Sequence, residues 1–172
     1  MRADPIATER LRLRPLELTD APRIARLASD PGVACMTSTF PLQQTVVGAE
    51  GWVLIRQALA PHVEGAEFAI DLPGEGLVGT IGAHRTGEDV EIGCWLGKPY
   101  WGLGFATEAL RAVTTLARDL SEDAVVADHF VDNPASGRAL EKAGFVYTGE
   151  VALRFSLARG QSAPARMMRL HA

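Results

Sequence analysis

The stretch from Glu91 to Ala109, EIGCWLGKPYWGLGFATEA, constrains this chain more than any other. It reads as a short apolar strand, a glycine-bearing loop and the start of an amphipathic helix. Such a loop presents free backbone N–H groups, together with the positive end of a helix dipole, to whatever sits in front of it. Both favour a phosphate or pyrophosphate. The expected ligand therefore carries phosphates and is held by backbone more than by charged side chains.

The rest of the chain patterns around that loop. Residues 10–14, RLRLR, alternate strictly and predict a half-buried, edge-like strand that Pro15 ends. Thr19 or Asp20 caps a helix carrying Ile24, Leu27 and Ala28, which stops before Asp30-Pro31-Gly32. Residues 33–44 read as a loop, and a second helix spans about Thr45 to Ala60, ended by Pro61. Three strands of a meander follow at Glu67–Asp71, Leu77–His84 and Val90–Leu96, joined by glycine-containing turns. The helix after the glycine loop aligns Ala109, Leu110, Val113, Leu116, Ala117 and Leu120 on one stripe. Ala124–Val131 is a strand. The next helix has Asn133 at its N-cap, Pro134 at its first position and Gly144 just past its end. Phe145–Tyr147, Val151–Leu157 and Ala165–Leu170 predict closing strands, with Arg159-Gly160 as a turn.

One domain, residues 1–172, is long enough to bury roughly two thirds of its unfolded surface. A net charge of -4 without blocks of like charge argues against a nucleic-acid surface. No apolar run reaches the roughly 20 residues needed to span a bilayer, and MRADPIATER lacks a signal peptide's apolar segment. Cys35 and Cys94 show no metal or redox spacing, so reduced thiols in a cytoplasmic protein without a metal are expected.

Three glycine-loop chemistries compete. A P-loop needs four residues between its glycines and a Ser/Thr after Gly-Lys; Gly93 to Pro99 is one residue short and ends in proline. A dinucleotide loop needs a third glycine after Gly102 and Gly104, and has Thr107 there, although Asp128 could serve as its ribose acid. The third is carried by longer motifs. Trp101-Gly102-Leu103-Gly104-Phe105-Ala106 is similar to the acetyl-CoA signature of the GNAT N-acetyltransferase superfamily, apart from its first position. Ile92–Leu96 with Tyr100-Trp101-Gly102 and Ala106–Ala109 resembles the ribosomal-protein N-terminal acetyltransferase branch of the RimJ/RimL type. So do Thr8–Pro15 and the block from Asn133-Pro134-Ala135-Ser136 to Glu141–Phe145.

That resemblance implies a single α/β (α+β) GNAT-type domain. Its mixed, mostly antiparallel sheet would have splayed central strands at 90–96 and 124–131, flanked by about four helices. It implies an acetyl-CoA-dependent N-acetyltransferase acting directly on a primary amine, either a protein N-terminus or a small molecule. The pyrophosphate would take N–H bonds from Leu103, Gly104, Ala106 and Thr107, with Gly102 and Gly104 allowing close approach and Phe105 turned into the core. The main chain of Cys94, Trp95 and Leu96 would pair with pantetheine amides, and Trp95 or Leu96 would supply the oxyanion donor. Asn133 would contact pantetheine, and Ser136 would donate a proton to the thiolate or bind the sulfur. Arg138 and Lys142 would either reach CoA phosphates or form a solvated helix face, and Cys94 is read as packing. The general base is expected from Glu91 or Glu67, with His84 as a third candidate. Partners are acetyl-CoA and an amine acceptor, with no nucleic acid or membrane and with a homodimer as a further option. Loop 33–44, the second helix and the closing strands would shape the acceptor site. The main alternative is a catalytically silent GNAT module that binds acyl-CoA; a dinucleotide-dependent oxidoreductase is a distant third.

Overall fold

In the computed structural model, residues 4–59, 65–120 and 124–171 are described. The alternating RLRLR segment turns Leu11 and Leu13 into the core and forms β2 (Arg12–Pro15), flanked by a two-residue β1 (Ile6–Ala7). Three antiparallel strands follow in the sheet as β3 (Gly65–Leu72), β4 (Gly76–Thr86) and β5 (Asp89–Leu96). Then come β6 (Val125–Phe130), β7 (Phe145–Ser156) and β8 (Gln161–Leu170), giving the order β1-β2-β3-β4-β5-β6-β8-β7. Every pairing is antiparallel except β5 with β6.

The parallel contact is short. Only Val90↔Val125 and Glu91↔Val126 pair, so β5 and β6 part beyond Glu91 and leave one edge of residues 92–96 unpaired. Strand alternation divides the sheet into two faces. Phe68, Ile81, Ala83 and Ile92 pack against α4 (Phe105–Leu120) and α5 (Pro134–Lys142) in the main core. The intervening Ala69, with Leu77, faces α1 (Ala21–Ala28) and α3 (Val46–Leu59) in a second core. The expected α4 stripe is buried at Ala109, Leu110, Val113 and Ala117 and half-buried at Leu116. The side chain of Leu120 lies outside the described residues, as do Ala60 and Pro61.

Two expectations are corrected. The loop read at 33–44 begins inside a short helix, α2 (Pro31–Ala34), because Asp30 accepts a hydrogen bond from Gly32 N–H at 2.8 Å and Pro31 starts the turn. The same Asp-Pro pair that stops one helix begins the next. The strands read separately at 145–147 and 151–157 are one twelve-residue strand, β7. An irregularity between Tyr147 and Val151, with Gly149 at φ +89°, lets it continue across the polar interval.

Candidate active site

The glycine loop sits at the mouth of the gap between β5 and β6. Gly102 and Gly104 have φ of +74° and +83°, a region where side chains are strained. Phe105 is 6% exposed and buries its ring in the main core, with the Arg10 guanidinium 4.7 Å from the ring centroid. Arg10 locks the loop from outside: Nη1 donates to the Leu103 carbonyl at 2.9 Å and Nε to Glu108 at 2.8 Å. Thr8 Oγ1 donates to the same carboxylate at 2.6 Å. Burial raises the Glu108 carboxyl's affinity for a proton, but hydrogen bonds from Thr8 and Arg10 outweigh it and hold the group below its ordinary value. The N–H groups of Ala106 and Thr107, in the first turn of α4, have no partner within the helix.

The unpaired edge of β5 supplies the next donors. Val90 N–H donates to Ala124 O across the gap, whereas Gly97 N–H donates to Val78 O of β4. Alternation therefore points the N–H groups of Ile92, Cys94 and Leu96 into the gap and those of Gly93 and Trp95 toward β4. This corrects one expectation: Leu96 N–H, and not Trp95 N–H, faces the cleft as a candidate oxyanion donor. The Leu96 carbonyl accepts from Trp101 Nε1 at 2.7 Å, which ties the loop to the strand. Cys94 turns its side chain into the main core, where burial first and the nearby Glu67 charge second push the thiol up to about 12. A thiol so disposed is a packing group and a poor nucleophile.

On the far side of the gap, the Asn133 side chain caps α5 by accepting from Ser136 N–H at 3.2 Å. The Ser136 hydroxyl is half-buried and has no hydrogen bond among the described residues. Beneath it, His129 Nδ1 lies 2.9 Å from the Phe130 carbonyl, which can only accept, so the proton sits on Nδ1. Nε2 then accepts from the Tyr147 hydroxyl at 3.1 Å. Gly137 makes room for the pair, since a Cβ there would stand 2.6 Å from His129 Nε2.

The opposite face of the sheet carries the acidic residues. The register pairs His84 with Glu91, Gly82 with Gly93 and Glu67 with Gly82, so all point away from Cys94. Glu67 accepts from Thr80 Oγ1 at 2.8 Å and lies 2.8 Å from His84 Nε2. Glu91 is not part of that pair. Its Oε2 is 3.6 Å from Arg154 of β7, whose Nε donates to Asp128 of β6 at 2.5 Å. Burial raises the Glu91 carboxyl; Arg154 lowers it, Asp128 raises it and His84 lowers it, in that order of size. Above this floor, Phe40 packs against Trp52 and Trp95 with ring centroids 5.3 and 5.2 Å apart.

A cleft of about 750 Å³ passes between the splayed strands and joins both faces. Every residue expected at the site lines it except Leu103, whose carbonyl is turned to Arg10. Residues 10–146 match the acetyltransferase (GNAT) domain family. The chain belongs to that family.

Among curated proteins, this GNAT chain is 32% identical over 108 residues to the uncharacterized N-acetyltransferase p20 of Bacillus licheniformis. The match covers 60% of each chain, so it spans under two thirds of that relative's length. Its fold is shared with Mycobacterium smegmatis RimJ in complex with CoA-disulfide, at 22% identity and a TM-score of 0.81, covering 98% of this chain and 88% of the other. It is shared equally with RimL, a ribosomal L7/L12 α-N-protein acetyltransferase in complex with coenzyme A. There the identity is 18% and the TM-score 0.81, with 96% and 97% covered. These structural neighbours share the fold.

Sequence reasoning missed three features of the GNAT site. Asp128 was weighed only as a ribose acid, and it is instead the partner of Arg154. A dinucleotide site is overturned by the antiparallel strands leading into the loop and by the family match. The His129–Tyr147 pair left no local signal, because its members are 18 residues apart. The Arg10–Glu108 lock was legible only as two separate motif blocks.

Proposed function

We propose that this GNAT protein is an acetyl-CoA-dependent N-acetyltransferase that moves the acetyl group directly to a primary amine, a protein N-terminus or a small molecule, within a ternary complex. The observation that carries the reading is the open β5 edge ending at a glycine loop. The gap-facing N–H groups of residues 92, 94 and 96 suit the amides of a pantetheine arm. The free N–H groups at the start of α4 suit a pyrophosphate. RimJ in complex with CoA-disulfide and RimL in complex with coenzyme A, which share this fold, support the same donor.

Acetyl-CoA supplies an activated carbonyl, and the protein has to orient it and manage protons. Leu96 N–H is assigned to the carbonyl oxygen, where negative charge develops. Ser136, with its unbonded hydroxyl in the cleft, is assigned to the departing sulfur. Proton removal from the amine belongs to the other face, where Glu67, His84 and Glu91 line the cleft. Carboxylates there also favour a cationic acceptor. Arg138 and Lys142 line the donor side and suit the CoA phosphates.

The test is release of free CoA from acetyl-CoA in the presence of an N-terminal serine peptide, benzylamine and spermidine. Turnover with any of them supports the enzyme. Tight acetyl-CoA binding without turnover across a broad amine panel would replace it with the silent acyl-CoA-binding module.

A further inference from the structure

We infer that His84 is the group that takes the amine proton, through Nδ1, and that Glu67 is its positioning residue. The inference deepens the N-acetyltransferase reading and rests on it. Glu67 has both oxygens engaged, Oε1 by the Thr80 hydroxyl and Oε2 by His84 Nε2, each at 2.8 Å. Its side chain is only 9% exposed, against 30% for His84. An ionised carboxylate accepts and cannot donate, so in neutral His84 the proton lies on Nε2 and the lone pair on Nδ1. Nδ1 is thus the basic atom that the pair leaves free, on a residue that lines the cleft. Glu91 has a different engagement, facing Arg154.

The glycines around this pair explain its seat. A Cβ on Gly82 would stand 2.5 Å from His84 Nε2 and closer still to Glu67 Oε2, so the pair closes over a residue that has no side chain. Its register partner Gly93 lies on the same face of β5, and a Cβ there would meet nothing within 4 Å. That open space lies in the cleft that Glu67 and His84 also line, and the main chain of Cys94 follows it along the open edge of β5. It is where an amine can reach both the dyad and an acetyl group held along β5.

The step balances as follows. An ammonium gives one proton to His84 Nδ1, which becomes imidazolium facing the Glu67 carboxylate. The freed nitrogen lone pair forms the C–N bond, the C–S bond breaks, and its electron pair leaves on sulfur. Sulfur takes a proton lost by the new amide nitrogen through the Ser136 hydroxyl, and the imidazolium returns its proton to water. The charged groups facing His84 are Glu67 of β3 and Glu91 of β5, with Asp128 of β6 and Arg154 of β7 behind Glu91. Arg56 of α3 lines the same cleft.

The experiment joins kinetics to a titration, using acetyl-CoA with benzylamine and an N-terminal serine peptide as probes. For wild type, kcat/KM for the amine rises with pH along a limb set by His84. His84→Ala lowers it about 100-fold and abolishes that limb, while acetyl-CoA affinity stays within about twofold. Glu67→Gln, which replaces the carboxylate held against His84 Nε2, changes the NMR titration of the ring and the pH profile of kcat/KM together. Gly82→Ala, which deletes no ionisable group, perturbs the same titration. A His84→Ala enzyme within about threefold of wild type that keeps its limb overturns the inference. So does a His84 titration that Glu67→Gln leaves unmoved. A wild-type protein that binds acetyl-CoA yet serves neither amine overturns the enzyme reading instead, and the NMR titration then decides the dyad alone.

Discussion

The two sides of the cleft are built from different materials. On the donor side most groups aimed at a ligand are backbone, the open edge of β5, the glycine loop and the first turn of α4, and α5 adds the side chains of Ser136, Arg138 and Lys142. Side chains there hold the backbone in place, as Arg10 holds Leu103, Trp101 holds Leu96 and Asn133 caps α5. On the acceptor side the groups aimed at the cleft are side chains from β3, β4, β5 and β6, with Arg154 of β7 paired to Glu91 and Asp128. A backbone site is set by local conformation; a side-chain site is set by which strands are neighbours.

Substitutions that respect or violate this division test it, and the largest effect belongs to the loop. Gly104→Val forces a β-branched residue to φ +83°, with its Cβ 3.3 Å from Arg10 Nη2. It weakens acetyl-CoA binding about 100-fold by titration calorimetry, consistent with strain of about 1–3 kcal/mol plus lost contacts. An unchanged affinity would remove the loop from the donor site. Ser136→Ala leaves the Asn133 cap intact because the cap uses the backbone N–H; it lowers kcat about 20-fold with acetyl-CoA affinity unchanged. Arg154→Met strips Asp128 and Glu91 of their cation and reduces kcat/KM for the amine about tenfold. An effect on acetyl-CoA binding alone would mean that the two faces are not separate.

Smaller effects concern stability and reactivity. Glu108→Gln breaks the lock between Arg10 and α4, which is partly exposed, and costs about 1–2 kcal/mol. The melting temperature falls by about 3–6 °C. Because the Glu108 carboxyl is held below its ordinary value in the folded protein, acidification protonates the unfolded chain first, near pH 4.3. The lock's contribution is complete above that pH and is lost as pH falls through the folded value. The gap between wild type and Glu108→Gln in urea unfolding therefore narrows as pH falls below about 4.3, the ordinary glutamate value. The least effect is a null one: Cys94, with its thiol near 12, stays unmodified by iodoacetamide at pH 8 in the folded protein.

Legibility in the sequence follows the same division. The α5 helix was readable to its ends because Asn133, Pro134 and Gly144 each act within a few residues of themselves. The meander was readable because alternation and glycine turns are local. The bulge that makes β7 one strand was not, since only pairing with β8 carries the chain past Gly149. The direction of Trp95 N–H was also hidden. It depends on β4 lying on one side of β5 and a gap on the other, which the residues 94–96 do not encode.

What the amino-acid sequence determined by itself was the donor side: a strand, a loop with glycines at 102 and 104, a capped helix and the fold they imply. Those features rest on φ angles, caps and periodicity, which neighbouring residues dictate. Tertiary structure alone decided the acceptor side and the lock that holds the donor-side glycine loop. Glu67 and His84 are 17 residues apart, Asp128 and Arg154 are 26 apart, and Arg10 and Glu108 are 98 apart. Each pair exists because strand register and helix packing bring distant side chains within a few ångströms, and no local propensity specifies that.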